Sequence, residues 1–250
     1  MLAGYVNTLA GSGSLITLPL LILIGLPANI ANGTNRVAIL LQTLVAGGKF
    51  YREGMLDTRG VLAVGLPTLM GSFAGAQIAV SMSEALMRKT IGILMIVMFF
   101  VVAFRPQRWL KGRVKSYRGN LPILQILLFF GIGVYGGFIQ AGIGIFLLAG
   151  LVLGIGYDLV RGNAVKVGIV SLQTAAALVV FLKNGQVRWS IGFVLAIGTM
   201  IGAWLGARTA SERGAVFVHR VLLIVIGFAA LRLLGLDRLV MGVLRVLEWV

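Results

Sequence analysis

Apolar residues dominate this chain in long blocks separated by short polar segments. Each block approaches or exceeds the roughly 20 residues that a membrane-spanning helix needs. The blocks are Leu2–Ile24, Ile30–Gly48, Gly60–Val80, Leu86–Phe104, Leu121–Gly154, Ala164–Leu182, Ser190–Ala207 and Ala215–Leu234. Because none of them alternates apolar with polar residues, the pattern predicts an all-α integral membrane protein with about eight helical segments.

The composition favours lipid over water as the solvent of this chain. The 250 residues are 59% hydrophobic and 12% charged, and the mean hydropathy is +1.01. A soluble domain has roughly 45–50% apolar and about 25% charged residues. One globule of this length could not hide the apolar excess, so we expect the lipid bilayer as a partner. No basic segment precedes the first block, and a cleavable signal peptide is not predicted.

The basic residues lie between the apolar blocks. Lys and Arg number 22 against 7 Asp and Glu, which gives a formal net charge of +15. Such a balance can indicate nucleic-acid binding, but this distribution is the one that the positive-inside rule describes for cytoplasmic loops. The densest segment, 105–120, has six Lys or Arg and no acid. We therefore predict a multi-pass protein of the plasma (inner) membrane with a cytoplasmic linker and no nucleic-acid partner.

The linker separates two related halves. Residues 131 positions apart match without a gap, including Asn32 with Asn163 and Gln42 with Gln173. We predict two tandem repeats, 1–104 and 121–234, joined by the linker 105–120 and followed by an amphipathic tail, 235–250. Parallel repeats require an even number of crossings in each, and inverted repeats an odd number, so the orientation stays open.

Glycine pairs interrupt the first block of each repeat. Gly11 and Gly13 in the first match Gly142 and Gly144 in the second. A glycine inside a helix costs about 1 kcal/mol relative to alanine, so the pairs predict that this segment is discontinuous. A break frees N–H groups at a new helix N-terminus, where an anion can bind. Close packing of small residues is the alternative.

Two further glycine pairs, Gly71/Gly75 and Gly202/Gly206, have the G-x-x-x-G spacing. Small residues at this spacing let helix backbones approach each other within a membrane. We interpret both pairs as packing sites.

The second block of each repeat opens with polar and basic residues. Asn32 and Asn163 are favourable N-cap residues and predict helix starts. Arg36 and Lys166 place a cation about one turn into each helix. Two cations near a pseudo-twofold axis could clamp an oxyanion, Arg through two hydrogen bonds and Lys as a point charge. Snorkelling to the membrane interface is the alternative.

Neutral polar residues lie further along the same blocks, where they either line a site or join helices. The candidate substrate-binding residues are Gly11, Gly13, Asn32, Asn35, Arg36, Gln42, Gly142, Gly144, Asn163, Lys166 and Gln173. A site with cations and no acids suits a small anionic substrate. No acid lies at the centre of a block, which disfavours coupling through a buried carboxylate. Co-transport of a protonated substrate, Na⁺ held by carbonyls and amides, and uniport all stay open.

Other function classes lack the residues they need. The chain has no Cys and one His, His219, so neither a metal site nor a Ser-His-Asp triad is expected, and no cofactor is predicted. An intramembrane enzyme would need clustered carboxylates or a catalytic Ser dyad at membrane depth. A non-catalytic membrane scaffold or assembly factor is the alternative to a transporter, but it has no need of paired cations. A homo-oligomer is left open.

The landmarks of the first repeat resemble the sulfite exporter TauE/SafE family, also called the toluene sulfonate uptake permease family. The resemblance covers about Leu2 to Leu234 and rests on A-G-S-G from Ala10, P-L-L from Pro19, G-L-P from Gly25 and G-T-N-R from Gly33. It implies a membrane permease that moves sulfite, organosulfonates or related sulfur and carbon oxyanions by alternating access. The three consecutive glycines usual in the family are absent, which leaves the substrate less defined.

Overall fold

The computed structural model describes residues 1–103 and 121–208. Every regular element in these ranges is helical, which confirms the all-α fold class. The helices are α1 (Leu2–Ala10), α2 (Ser14–Leu23), α3 (Ala28–Arg52), α4 (Thr58–Ser81), α5 (Glu84–Ala103), α6 (Ile123–Phe138), α7 (Ile143–Ala149) with its π-helical continuation (Gly150–Ile155), α8 (Leu159–Lys183) and α9 (Trp189–Arg208). The linker 105–120, the block Ala215–Leu234, His219 and the tail 235–250 lie outside the described residues.

Three of the described helices, α4, α8 and α9, are long and apolar enough to cross a membrane. Their outward faces carry large exposed apolar side chains, for example Leu62 and Leu66 on α4 and Val194 and Ile197 on α9. Such faces suit lipid, while the backbone polar groups are satisfied within each helix. The arrangement of eight segments in two repeats stays a prediction.

The helix starts predicted at Asn32 and Asn163 are wrong. α3 begins four residues earlier, after Pro27, whose ring fixes the backbone at the helix entrance. α8 begins after Asp158, whose carboxylate accepts two N–H groups of the first turn. Both asparagines therefore lie inside their helices, where they are buried.

Side-chain contacts at one end of the bundle, called here the Gln186 end, give the direction of the long helices. The Asn29 side chain donates a hydrogen bond to the Met82 carbonyl at 2.8 Å, and the Gln186 side chain donates to the Val80 carbonyl at 3.1 Å. The start of α3, the end of α4 and the segment between α8 and α9 therefore meet at this end.

Other contacts define the opposite end, called here the Asp57 end. The Tyr157 hydroxyl donates to the Asp57 carboxylate at 2.6 Å, and the Lys49 ammonium lies 5.4 Å from the Trp204 ring centroid. The end of α3, the starts of α4 and α8, and the end of α9 meet here. Helices α3 and α9 therefore run from the Gln186 end to the Asp57 end, and α4 and α8 run the other way.

Equivalent positions of the two predicted repeats have equivalent backbone geometry. Helices α3 and α8 each have 25 residues and begin 131 positions apart, yet they run in opposite directions. Left-handed glycines occur in pairs with the same spacing. The pairs are Gly11 and Gly142 (φ 68° and 73°), Gly25 and Gly156 (100° and 92°), and Gly54 and Gly185 (66° and 66°).

The interrupted segments fold back as helical hairpins. Gly13, at the start of α2, packs against Ala3 of α1, and its N–H donates to the Asn7 side chain at 3.1 Å. A continuous helix would separate the third and thirteenth residues by about 15 Å, so the chain reverses between α1 and α2. The Tyr135 ring of α6 likewise meets the Phe146 ring of α7, with centroids 5.3 Å apart.

The α6–α7 hairpin enters from the Asp57 end. Gly71 of α4 packs on the Phe130 carbonyl of α6, and Gly75 packs on the Val134 carbonyl. These contacts advance together along both helices, so α6 runs parallel to α4. The chain returns to the same end, because Tyr157 follows the π-helical turn.

The α1–α2 hairpin enters from the opposite, Gln186 end. Gly202 of α9 packs on the Met1 carbonyl, and Gly206 lies next to the Tyr5 carbonyl, so α1 runs parallel to α9. Helix α2 then returns to the end where α3 starts. Both G-x-x-x-G pairs thus serve helix packing, in agreement with their interpretation from sequence.

Candidate functional site

The tips of the two hairpins meet backbone to backbone inside the bundle. The Gly144 N–H donates to the Gly11 carbonyl at 3.1 Å. A Cβ atom on either glycine would overlap backbone atoms of the other. Gly11 also has a left-handed backbone conformation, which residues other than glycine rarely adopt. The contact between the hairpins therefore depends on glycine at both positions.

A cavity of about 10 Å³ lies where the tips meet α3 and α8. This volume holds about one water molecule. Its lining includes Gly11, Gly144 and Lys166, together with Thr43 and Gln140. The remaining candidates lie outside the lining; they are Gly13, Asn32, Asn35, Arg36, Gln42, Gly142, Asn163 and Gln173.

Arg36 is fully buried, and its guanidinium binds the end of α6. Nη2 donates to the Gly137 carbonyl at 2.5 Å, and Nη1 donates to the Gly136 carbonyl at 3.2 Å. Two longer bonds, each 3.4 Å, reach the side-chain oxygens of Gln140 and Asn32. A cation at this place offsets the negative end of the helix dipole. Arg36 therefore fixes the α6–α7 hairpin to α3.

Lys166 has the corresponding place at the end of α1. Its ammonium donates to the Asn163 side-chain oxygen at 2.6 Å, to the Thr8 carbonyl at 3.4 Å and to the Asn7 carbonyl at 3.5 Å. The residue is 1% exposed, and it also borders the cavity. Like Arg36, it is buried in protein and does not snorkel to the membrane interface.

The two cations are far apart along the bundle. Gly33 lies against the Phe181 ring, and Gly47 lies against Val167, which aligns α3 with α8. On this alignment the two cations are separated by about 18 Å along the helix axis, at 1.5 Å per residue. The structure does not bring them together around one small anion.

Gln42 and Gln173 are each 1% exposed. Neither side-chain oxygen nor nitrogen of either amide has a hydrogen-bond partner among the described residues. The alignment of α3 with α8 places both glutamines at nearly the same depth. Asn35 is half satisfied, since its oxygen accepts from the Thr17 hydroxyl at 2.6 Å while its nitrogen has no partner in the described part of the chain. Amide groups at the middle of the bundle therefore have hydrogen-bonding atoms that no described residue satisfies.

Two polar residues near the breaks were missed by sequence reasoning. Gln140 has a left-handed backbone, with φ of 65°, and its side chain bonds to Arg36 and to the Thr174 hydroxyl. Asn7 closes the other hairpin through its bond to Gly13. Their signal in the sequence is a lone amide within an apolar block, a few residues before a glycine pair.

Comparison with known proteins gives one family and several relatives. The profile of the family described as Sulfite exporter TauE/SafE matches residues 1–233. A probable membrane transporter protein of Haemophilus influenzae is 27% identical over 222 residues, covering 89% of this chain and 86% of the relative. The probable membrane transporter protein ORF9 of Sinorhizobium sp is 27% identical over 94% of this chain and 89% of its own length. YfcA of Escherichia coli K12, also called a probable membrane transporter protein, is 27% identical over 94% of this chain and 86% of its own length. No solved structure matches the chain.

Proposed function

Because this chain belongs to the sulfite exporter TauE/SafE family, we propose that it is a permease that moves small anions across the plasma membrane by alternating access. Its relatives are named membrane transporters, and its described residues form apolar helices. The proposed substrates are sulfite, which the family description names, and organosulfonates or related sulfur and carbon oxyanions.

The observation that carries the proposal is the meeting of two hairpin tips beside a buried cation. Lys166 borders the cavity together with Gly11 and Gly144. Ser14, the first residue of α2, also borders it, so the positive end of that helix dipole faces the same space. A substrate anion would be attracted by the ammonium and by the N-terminus of α2.

The other candidates have supporting places in this proposal. Gln42 and Gln173 offer unsatisfied amides to a substrate or to water at mid-depth. Arg36 holds one hairpin in position and is not proposed to touch the substrate in this conformation. Asn32 and Asn163 orient the two cations.

The size of the cavity supports a conformational change. A volume of about 10 Å³ is too small for a sulfur oxyanion, so the hairpins must move before one can bind. Each hairpin enters from a different end, and each could open the site to the side from which it enters. The two halves, 1–104 and 121–234, would then act as inverted repeats around one central site.

The helix directions also suggest an orientation in the membrane. Helix α5 starts just after Met82 at the Gln186 end, and its residue Met98 reaches the hairpin tip at Gly142. Helix α6 starts at the Asp57 end, so the basic linker 105–120 would join α5 and α6 there. We therefore assign the Asp57 end to the cytoplasm, because its linker is rich in Lys and Arg.

The proposal is tested by anion-induced currents from proteoliposomes on a solid-supported membrane. The panel is sulfite, sulfate, sulfoacetate, taurine and acetate. We expect a saturable current for at least one anion, reduced at least about tenfold in Lys166→Ala, because a buried charge that meets the substrate is lost. Lys183→Ala is the control, since Lys183 is exposed at the end of the same helix.

If no anion of the panel induces a current, exchange of labelled anions is measured next, because it detects electroneutral transport. The absence of both current and labelled exchange would contradict the permease proposal and favour a membrane scaffold. This conclusion requires that the protein shows a cooperative melting transition. Normal currents from Lys166→Ala would exclude Lys166 from the site.

A further inference from the structure

The two hairpins bring helix C-termini to the middle of the bundle. The last carbonyls of a helix have no partner within the helix, and they form the negative end of its dipole. In transporters built with broken helices, such ends and unwound carbonyls coordinate the coupling Na⁺. The ends of α1 and α6 are therefore natural positions for a metal cation.

Both ends form oxygen cages that share two helix-end carbonyls and one asparagine side-chain oxygen. At the end of α6, these are the Gly136 and Gly137 carbonyls and the side-chain oxygen of Asn32, and the side-chain oxygen of Gln140 is added to them. At the end of α1, the carbonyls of Asn7 and Thr8 combine with a side-chain oxygen from α8. That oxygen belongs to Asn163, which lies 131 positions after Asn32.

Each cage already holds a cation that is covalently part of the chain. Arg36 donates to all four oxygens of the α6 cage at 2.5 to 3.4 Å. Lys166 donates to all three oxygens of the α1 cage at 2.6 to 3.5 Å. A metal ion in either cage would lie a few ångströms from a buried positive charge, and the repulsion there is strong because the surroundings have a low dielectric constant.

We propose that Arg36 and Lys166 act as tethered counter-ions in the two carbonyl cages, so that transport requires neither Na⁺ nor K⁺. The inference rests on the proposed permease function and adds that transport is not coupled to Na⁺ or K⁺. Lys166 has a double role, because it neutralises the end of α1 and also borders the cavity. It thereby supplies the local positive charge that a bound metal ion would otherwise bring to an anion site.

The first test uses the full wild-type chain in proteoliposomes with labelled sulfite, or with the panel anion that gave a saturable current. Na⁺ and K⁺ are replaced on both sides by N-methylglucamine. We expect the initial rate to change by less than about twofold. A fall of more than about tenfold, reversed by Na⁺ or K⁺, would overturn the inference while leaving the permease proposal intact.

The second test is chemical rescue of Lys166→Ala. This substitution removes the ammonium and three methylenes, which propylammonium can replace. We expect flux at least about tenfold below wild type without the amine, and recovery of a substantial part of the loss with it. Two variants serve as controls. Lys183→Ala should transport normally, and Gln173→Leu, which keeps both cage cations, should gain nothing from the amine.

A melting curve shows whether Lys166→Ala folds, and Lys166→Arg provides a second variant that keeps the charge. We expect Lys166→Arg to transport without Na⁺ or K⁺. Folded Lys166→Ala that no amine restores, or Lys166→Arg that requires Na⁺, would contradict the tethered counter-ion. A wild-type chain that moves no anion in either assay would refute the permease itself, and with it this inference.

Discussion

At the scale of single residues, the buried glutamines Gln42 and Gln173 are unusual. Neither amide has a partner among the described residues, and a buried polar group without a partner costs about 1–3 kcal/mol. They stand at equivalent positions of the two predicted repeats. A function that uses the free hydrogen-bonding capacity, such as contact with a substrate or with water on its path, explains this cost.

Gln173→Leu should separate function from stability. Leucine has a similar volume and removes the desolvation penalty, so the melting temperature of the purified protein should stay the same or rise. Anion flux should fall, by about fivefold or more if the amide contacts the substrate directly. Both quantities can be measured on one preparation.

Gln186→Leu is the matched control for this prediction. Its amide nitrogen donates to the Val80 carbonyl between elements, so its loss should lower the melting temperature. If Gln173→Leu instead melts lower and transports normally, the glutamine is a structural residue.

Single residues also show where sequence reasoning succeeds and fails. The buried, polar character of the candidate positions could be predicted, because amides and cations inside apolar blocks must face protein. The backbone carbonyls that accept hydrogen bonds from Arg36 and Lys166 could not be predicted, because they lie on hairpins that are remote in sequence. The cap assignments of Asn32 and Asn163 failed because Pro27 and Asp158 provide the helix entrances.

At the scale of elements, the two hairpins are the part of the fold that the sequence pattern predicts least completely. Glycine pairs predicted an interruption in each first block, and the structure divides the chain there. The reversal could not be predicted, since an apolar block such as Leu2–Ile24 is long enough either to cross the membrane once or to enter and return. Direction depends on contacts with α4 and α9, which the local pattern does not contain.

Gly11→Ala should destabilise the contact between the hairpin tips. The left-handed backbone alone costs an alanine about 1–3 kcal/mol, and its methyl group would also overlap Gly144. We expect a lower melting temperature and reduced transport. Gly48→Ala is the control, because Gly48 is within α3 and nothing lies near its absent side chain. Equal melting of the two variants would show that the tips do not depend on this contact.

At the scale of the whole molecule, the equivalent helices α3 and α8 run antiparallel, as α4 and α9 also do. This geometry favours inverted over parallel repeats, a choice that the sequence pattern left open because it did not give the number of crossings in each repeat. The family resemblance, in contrast, was available from short motifs, and the profile match confirms it. Local motifs identify a family, whereas the relative direction of distant helices needs their packing.

The inverted arrangement predicts opposite accessibility for two equivalent loop positions. The chain has no cysteine, so single-cysteine variants report one site each. Glu53→Cys and Asn184→Cys lie 131 positions apart, and both residues are exposed. In oriented membranes, an impermeant maleimide should label Asn184→Cys from outside and Glu53→Cys only from the cytoplasmic side. Labelling of both from one side would indicate parallel repeats.

Helices of the first half pack mainly on helices of the second half, and this packing has a consequence for synthesis of the protein. Helix α4 packs mainly on α6 and α8, and α1 packs mainly on α9, the last helix described. During translation, α1 leaves the ribosome before α9, and this principal neighbour emerges roughly two hundred residues later. The insertion machinery or surrounding lipid must therefore hold the N-terminal hairpin until that neighbour arrives. Slowing elongation between α1 and α9 should lengthen the period in which the hairpin is open to membrane proteases.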